Sequence, residues 1–217
     1  MIETRDTGEP PFRLIHGDFL EISKFIPDES IDCIITDPPY PEMYLPLWEE
    51  LGSFAMRTVK PSGFIVCYAG HIHLNKIMRY FDDAGLKFYW ICSLNHTGRT
   101  KMVLPRHAIA DHKPIIIYQR PPFKLPKGYF HDVLIGTGRE KTRHEWEQSA
   151  PEIIPYIEAF TQEGDTVCDP FVGSGSIGES ALVVNRKFLG IEIEKKYIDI
   201  SQLRLANTWE NRGREKD

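Results

Sequence analysis

Seven short apolar runs punctuate the chain, at 12–16, 31–36, 63–69, 86–94, 114–119, 166–169 and 187–193. Most are continuous rather than alternating, the pattern of strands buried on both faces. Between them, apolar residues recur at helical spacing. Met43, Leu47, Leu51, Phe54 and Val59 mark a helix over 43–59, and Leu74, Ile77, Met78 and Phe81 another over 73–84. Further helices are predicted over 151–161, 176–184 and 196–209, the last with Tyr197, Ile200, Leu203 and Leu205 on its core side. Strands alternating with helices predict an α/β fold with a mostly parallel sheet and helices on both faces. No helical pattern separates 86–94 from 114–119, so one of these two strands is expected to run antiparallel.

The 217 residues suit a single domain over 1–217 with a sizeable core. No apolar run is long enough to span a bilayer, and "MIETRDTGEPPF" does not read as a signal peptide. Cys33, Cys67, Cys92 and Cys168 are spaced for neither a zinc site nor a compact disulfide framework, and Cys33, Cys67 and Cys92 read as small core residues. A reduced, cytoplasmic protein is expected. The histidines (His71/His73, His107/His112) form no ligand constellation with acids or cysteines, so no metal is expected.

Net charge changes the picture only when it is divided. The whole chain carries −5, yet 96–144 holds ten Lys/Arg against three acids. A basic segment on an acidic body predicts a local anionic partner.

Two motifs carry candidate chemistry. The first is Asp37-Pro38-Pro39-Tyr40, placed where the run "IDCIIT" ends. Each residue alone is an ordinary turn former or strand stop. The second is "TVCDPFVGSGSIG", in which Gly173, Gly175 and Gly178 match G-x-G-x-x-G between a strand and a helix. Glu192 ends the next strand, nineteen residues beyond Gly173, where an acid takes the ribose hydroxyls of an adenosine cofactor. No Gly-Lys-Ser/Thr follows, which excludes a Walker-type phosphate loop. Asp169 beside the first turn would repel a pyrophosphate and attract a cation. The loop therefore favours S-adenosylmethionine over a dinucleotide.

"IITDPPY" with "DPFVGSGSIG" resembles the amino-group DNA methyltransferases. The catalytic tetrapeptide precedes the cofactor loop by more than 130 residues, which is similar to the permuted, beta-class arrangement. "LIHGDFLEI", "HEWEQSAPEIIPYIEAF" and "GIEIEKKY" extend the likeness over almost the whole chain. The resemblance implies the S-adenosylmethionine-dependent, Rossmann-like fold, with seven strands of which one is antiparallel. It also implies transfer of a methyl group to the exocyclic N6 of adenine in double-stranded DNA. Asp37 would accept one N–H of the target amino group and the Pro38 carbonyl the other, with Pro39 stiffening the turn and Tyr40 stacking on an extruded base. Asp18 and Phe19 would approach the cofactor's adenine, Glu192 its ribose, and Asp169, Phe171, Gly173 and Gly175 its methionine half. Gln148 and Ser149 would also meet the cofactor; after Gln148 the family usually continues Lys-Pro, whereas here Ser149-Ala150 follow, so a lysine contact is missing and Ser149 offers its hydroxyl and N–H.

The basic segment falls where this family carries its target-recognition elements, at about 96–144. Arg99, Lys101, Arg106, Lys124, Lys127, Arg139, Lys141 and Arg143 are its candidate DNA contacts. The region is short, which leaves room for a second subunit or a second copy of the chain. Three alternatives stand beside this reading: a cytosine-N4 or RNA-adenine methyltransferase, a catalytically silent cofactor- and DNA-binding subunit, and a dinucleotide-dependent oxidoreductase.

Overall fold

A computed structural model describes residues 9–95, 101–136 and 151–214. In chain order its elements are β1 (Phe12–His16), α1 (Phe19–Ile22), β2 (Ile31–Thr36), α2 (Leu45–Thr58), β3 (Val59–Tyr68), α3 (Leu74–Asp83), β4 (Lys87–Asn95) and β5 (Lys101–Val103). There follow β6 (Ala108–Ala110), β7 (His112–Gln119), β8 (Val133–Ile135), α4 (Ile154–Phe160), β9 (Thr166–Asp169), α5 (Ser176–Val183), β10 (Lys187–Glu192) and α6 (Lys195–Arg214).

All seven expected strands form, and β8 adds an eighth at one edge of the sheet, whose order is β1-β10-β9-β2-β3-β7-β4-β8. β7 runs antiparallel to both its neighbours, β3 and β4, and every other pairing is parallel. β5 and β6 form a separate antiparallel ribbon.

Both faces of the sheet are covered, as the unbroken apolar runs require. Alternate side chains of β2 serve opposite cores. Cys33 and Ile35 pack with Tyr156, Ile157, Ile177 and Ala181. Ile34 packs with Trp48, Leu51, Phe54, Ile77 and Phe81.

Two helices turn differently from the expected stripes. α2 buries Leu45, Trp48, Leu51, Phe54 and Ala55, while Met43 lies outside the helix and is exposed. The stripe runs through Trp48, the largest side chain available, and Gly52 lets α3 approach closely enough that a Cβ would sit 3.2 Å from Phe81. α6 buries Ser201 and Leu205, one turn apart, and exposes Tyr197 and Leu203. A small residue is needed at 201 because the Gly175 turn packs there.

The topology also fixes where a ligand can sit. β2 and β9 are neighbours. The chain leaves β2 through α2 toward β3 and leaves β9 through α5 toward β10, on the other side. Opposite departures from adjacent parallel strands open a crevice at their carboxyl ends.

Candidate active site

Both sequence motifs end at that crevice. Thr36, the last residue of β2, donates its hydroxyl to Asp169 Oδ1 at 2.6 Å, so the tetrapeptide and the glycine loop share a hydrogen bond at their roots. Asp37 is exposed and Pro38 is buried. The Pro39 carbonyl accepts from Trp48 Nε1–H at 3.1 Å, which pins the turn to α2. The Pro38 carbonyl accepts no hydrogen bond among the described residues. Gly70 backs Tyr40; a Cβ there would come 3.2 Å from the tyrosine's own Cβ. The Tyr40 hydroxyl donates to Asp37 Oδ1. Burial, then the charge of Asp37, pushes the Tyr40 hydroxyl pKa far up, so it stays a donor.

Asp169 is a contrasting carboxylate. It is 2% exposed. Its Oδ1 accepts from Thr36 and from Phe171 N–H at 3.0 Å, and it has no ion-pair partner among the described residues. Burial outweighs both bonds and lifts its pKa to about 7.

The glycine loop divides its labour. Gly173 has φ +51° and no atom within 4 Å of where a Cβ would point, so it faces open space. Gly175 has φ +82°, and a Cβ there would meet Ser201 at 2.8 Å. Glu192 stands across from this loop. Its Oε2 accepts from Gly173 N–H at 2.8 Å and its Oε1 from Glu194 N–H at 2.9 Å. A carboxylate has about four lone-pair sites, so two remain for hydroxyls.

Asp18 caps α1 by accepting from Leu20 N–H at 2.9 Å, and Gly17 N–H bonds the Glu192 carbonyl at 3.0 Å, which sets the β1 turn beside the β10 turn. Phe19 departs from its expected place. It is 3% exposed and packs on Phe54 and on Phe171, whose ring centroid is 5.1 Å away. Its ring supports Phe171 from behind instead of lining the crevice.

The described residues of the basic segment are divided between two edges of the sheet. Among the described residues, Arg106 sits in the turn between β5 and β6, and Lys101 opens β5. This ribbon leaves the sheet at Asn95 and returns at His112, which pair at the carboxyl edge. Lys124 and Lys127 lie elsewhere. Antiparallel β7 carries the chain to the opposite edge, where the Lys124 carbonyl binds Gln119 Nε2 at 2.8 Å and Lys127 N–H binds the Ala159 carbonyl at 2.8 Å. Neither is near Asp37. Arg99, Arg139, Lys141, Arg143, Gln148 and Ser149 lie outside the described residues.

Lys113 was not singled out by the sequence. Its Nζ lies 2.5 Å from Asp37 Oδ2, 5.0 Å from the centre of the Tyr40 ring and 4.8 Å from that of Tyr68. The available signal was the expected antiparallel strand, whose first residues, unlike those of parallel strands, fall at the carboxyl edge. His71 and His112 lie nearby with their Nε2 atoms 3.4 Å apart. Among the described residues no group of three or more His, Cys, Asp or Glu is placed to hold a metal. Glu152 Oε2 is buried with no hydrogen-bond partner among the described residues, and its charge helps to raise the Tyr68 hydroxyl pKa after burial. A broad cleft at the amino-terminal edge, lined by Pro11, Phe25, Arg186 and Trp209, is remote from these carboxylates.

The family model described as DNA methylase matches residues 137–203, the stretch containing the glycine loop and Glu192. The type II methyltransferase M.HpaI of Haemophilus parainfluenzae is 28% identical, over 89% of this chain and 74% of its own length. The crystal structure of an M1.HpyAVI–SAM complex superposes with a TM-score of 0.73 at 25% identity, covering 89% of this chain and 98% of that one. The chain is similar to the amino-group DNA methyltransferases along most of its length. The PvuII DNA methyltransferase, named as cytosine-N4-specific, shares the fold at a TM-score of 0.76 and 16% identity, over 93% of this chain and 94% of that one. The methyltransferase fold expected from the motifs is the one observed. Among the described residues no helix is long and apolar enough to cross a membrane.

Proposed function

We propose that this chain transfers a methyl group from S-adenosylmethionine to the exocyclic N6 of adenine in double-stranded DNA. One observation carries the reading. Asp37 directly follows β2 and Asp169 ends the adjacent β9, and Thr36 ties the root of one motif to the carboxylate of the other. A target amino group held by Asp37 would therefore lie beside whatever the glycine loop holds.

The residues at the crevice fit the cofactor. Both bonds to Asp169 use Oδ1, which leaves Oδ2 for a cationic ligand, and a cation is what a buried carboxylate without an ion pair lacks. Gly173 opens the loop to a ligand's backbone approach, and Glu192 has lone pairs to spare for a ribose. When bound, the cofactor supplies an electrophilic sulfonium methyl.

The protein's own residues prepare the acceptor nitrogen. Its lone pair is delocalised into the base ring and nucleophilically poor. Asp37 accepts one N–H and the Pro38 carbonyl the other, drawing the nitrogen toward tetrahedral geometry and stabilising positive charge as it forms. The Trp48 bond to Pro39 and the two rigid prolines hold that carbonyl in place before a base arrives. Tyr40 gives an extruded base a stacking face worth roughly 1–3 kcal/mol. Arg106 and the basic residues outside the described regions contact phosphates. Lys124 and Lys127 are not part of this interface.

The fold does not choose between adenine and cytosine. The initial Asp of the tetrapeptide favours adenine, because in the permuted family this position leans toward adenine with Asp and toward cytosine with Ser. The four cysteines are buried and free, which suits a reducing cytoplasm. Incubation of the pure protein with duplex DNA and labelled cofactor, followed by nucleoside analysis, tests the reading. N6-methyladenine is expected. N4-methylcytosine would transfer the assignment to the other base, and label in RNA alone would remove DNA as the substrate.

A further inference from the structure

We propose that Lys113 occupies the seat of the target amino group in the free enzyme, and that it makes the site selective for bases carrying a phosphate. The inference rests on the methyltransferase reading above. Both oxygens of Asp37 are already engaged: Oδ1 by the Tyr40 hydroxyl and Oδ2 by the Lys113 ammonium at 2.5 Å. The ammonium also lies over the Tyr40 and Tyr68 rings, at 5.0 and 4.8 Å from their centres. An N–H donor to Asp37 beside an aromatic face is the description of the target itself, a planar base with an exocyclic amino group.

Lys113 cannot remain there during transfer. The acceptor nitrogen becomes cationic as the methyl arrives, and an ammonium bonded to the same carboxylate would draw off the negative charge that stabilises it. Lys113 must therefore give up Asp37, and a flexible cationic stem needs another anion. A nucleotide within a strand brings phosphates with its base. A free nucleoside brings none. Release of Asp37 is thus coupled to the arrival of nucleic acid, and nucleosides meet an occupied carboxylate. A half-buried pair suits this exchange: the Lys113 side chain is 21% exposed and that of Asp37 43%, so the ammonium can reach solvent and its phosphates.

Two measurements test this. The first does not depend on catalysis. Lysine acylation of the free protein, mapped by mass spectrometry, should find Lys113 among the slow sites, and Asp37→Asn should speed it several-fold. Equal reactivity with the exposed lysines in both proteins would overturn the proposal, whatever the DNA result. If instead the acylation pattern holds while the wild type methylates no nucleic acid, the failure belongs to the methyltransferase reading.

The second compares kcat and KM for duplex DNA with those for deoxyadenosine and deoxycytidine. Lys113→Met should lower the preference for duplex DNA over nucleoside by about tenfold or more, the scale of one hydrogen bond to a charged group on each side of the ratio. The loss on DNA should fall in KM, and the nucleoside should gain. Lys113→Arg, which keeps the charge and the donors, should retain the preference. Cofactor-dependent thermal stabilisation of each variant establishes that it is folded. Equal losses on DNA and nucleoside, or no gain on either nucleoside, would overturn the assignment.

Discussion

Asp37, which follows β2, and Asp169, which ends β9, are the same residue type and are linked through Thr36, yet the fold treats them oppositely. Asp37 is exposed, with a cation and a hydroxyl on its carboxylate. Asp169 is 2% exposed, with two neutral donors on one oxygen and a pKa lifted to about 7. The first holds donors that an incoming amino group would replace. The second is held in a state that a cation would relieve. The lesson is that neighbouring strand ends in one crevice can be tuned for different partners by burial and by the donors around them, without changing the residue type.

The strongest way to break the comparison is at Asp37. Asp37→Ala removes the acceptor for the amino group, and loss of one preorganised polar contact to a transition state costs about 10²–10³ in rate. With the Tyr40 and Lys113 partners also freed, methyl transfer should fall by at least that factor. Cofactor affinity should hardly change, because no contact of Asp169, Gly173 or Glu192 runs through the Asp37 side chain. Single-turnover transfer of labelled methyl, with thermal-shift titration of the cofactor alongside, checks both halves. A parallel loss of cofactor binding would show that the two carboxylates form one site.

Asp169→Asn should give the opposite profile. Asparagine Oδ1 can still accept from Thr36 and Phe171, so the fold survives, while the negative charge for a cationic ligand is gone. Cofactor affinity should drop by about ten- to a hundredfold, as for loss of one charge-assisted contact. The free protein should become more stable at neutral pH. The sign follows from the raised pKa. Below the unfolded value near 3.8 both states are protonated and the aspartate costs nothing. As pH rises toward about 7 the unfolded chain releases a proton that the folded one retains, and stability is lost. Asp169→Asn removes that loss, by up to about 4 kcal/mol above pH 7 and by nothing below pH 4. Melting temperatures of the free wild type and variant from pH 4 to 8 should diverge accordingly. In the wild type, cofactor affinity should fall about fivefold between pH 7 and pH 6, because binding requires the ionised carboxylate.

The carboxyl-end crevice was legible in the sequence because its signals are local. "DPPY" and "DPFVGSGSIG" each follow a short apolar strand, so residue type and position at a strand end arrive together. The strands themselves were legible because buried parallel strands leave unbroken apolar runs. Lys113 was not, because it reaches Asp37 across 76 residues of sequence from an antiparallel strand, and nothing in "DHKPIII" marks a lysine that turns inward. The basic segment misled for a related reason. Charge is a property of composition, whereas the antiparallel turn of β7 sends Lys113 and Lys124 to opposite edges of the sheet. Arg120, counted in the same positive total, is bound to Glu29 at 2.8 Å. The helix stripes of α2 and α6 shifted because a large Trp48 and a close Gly175 turn decided which face packs, and both are tertiary facts.

Tyr40 sharpens the comparison from the side of the incoming base. Tyr40→Ala removes both the stacking face and the hydroxyl on Asp37, and transfer should fall by roughly five- to a hundredfold, the scale of one base–aromatic stack. Tyr40→Phe keeps the face and removes only the donor to Asp37. It should retain most of the activity, with the change read in KM. A Phe variant as impaired as the Ala variant would assign the residue's weight to the hydroxyl.

The smallest expected effect separates the two ends of β7. Arg106 lies in the ribbon that leaves the sheet at the crevice edge, and Lys124 lies at the far edge. Both are exposed, so neither substitution should disturb the fold. If DNA lies over the crevice, Arg106→Ala removes one phosphate contact. The slope of log K against log salt should then shrink by about one, with affinity reduced severalfold at low salt. Lys124→Ala should leave both the slope and the affinity unchanged. Binding measured by fluorescence anisotropy on a short duplex from 50 to 300 mM salt, a range over which phosphate contacts dominate, resolves the difference. Equal slopes for the two variants would place the duplex across both edges of the sheet, and the crevice would no longer be the centre of the DNA footprint.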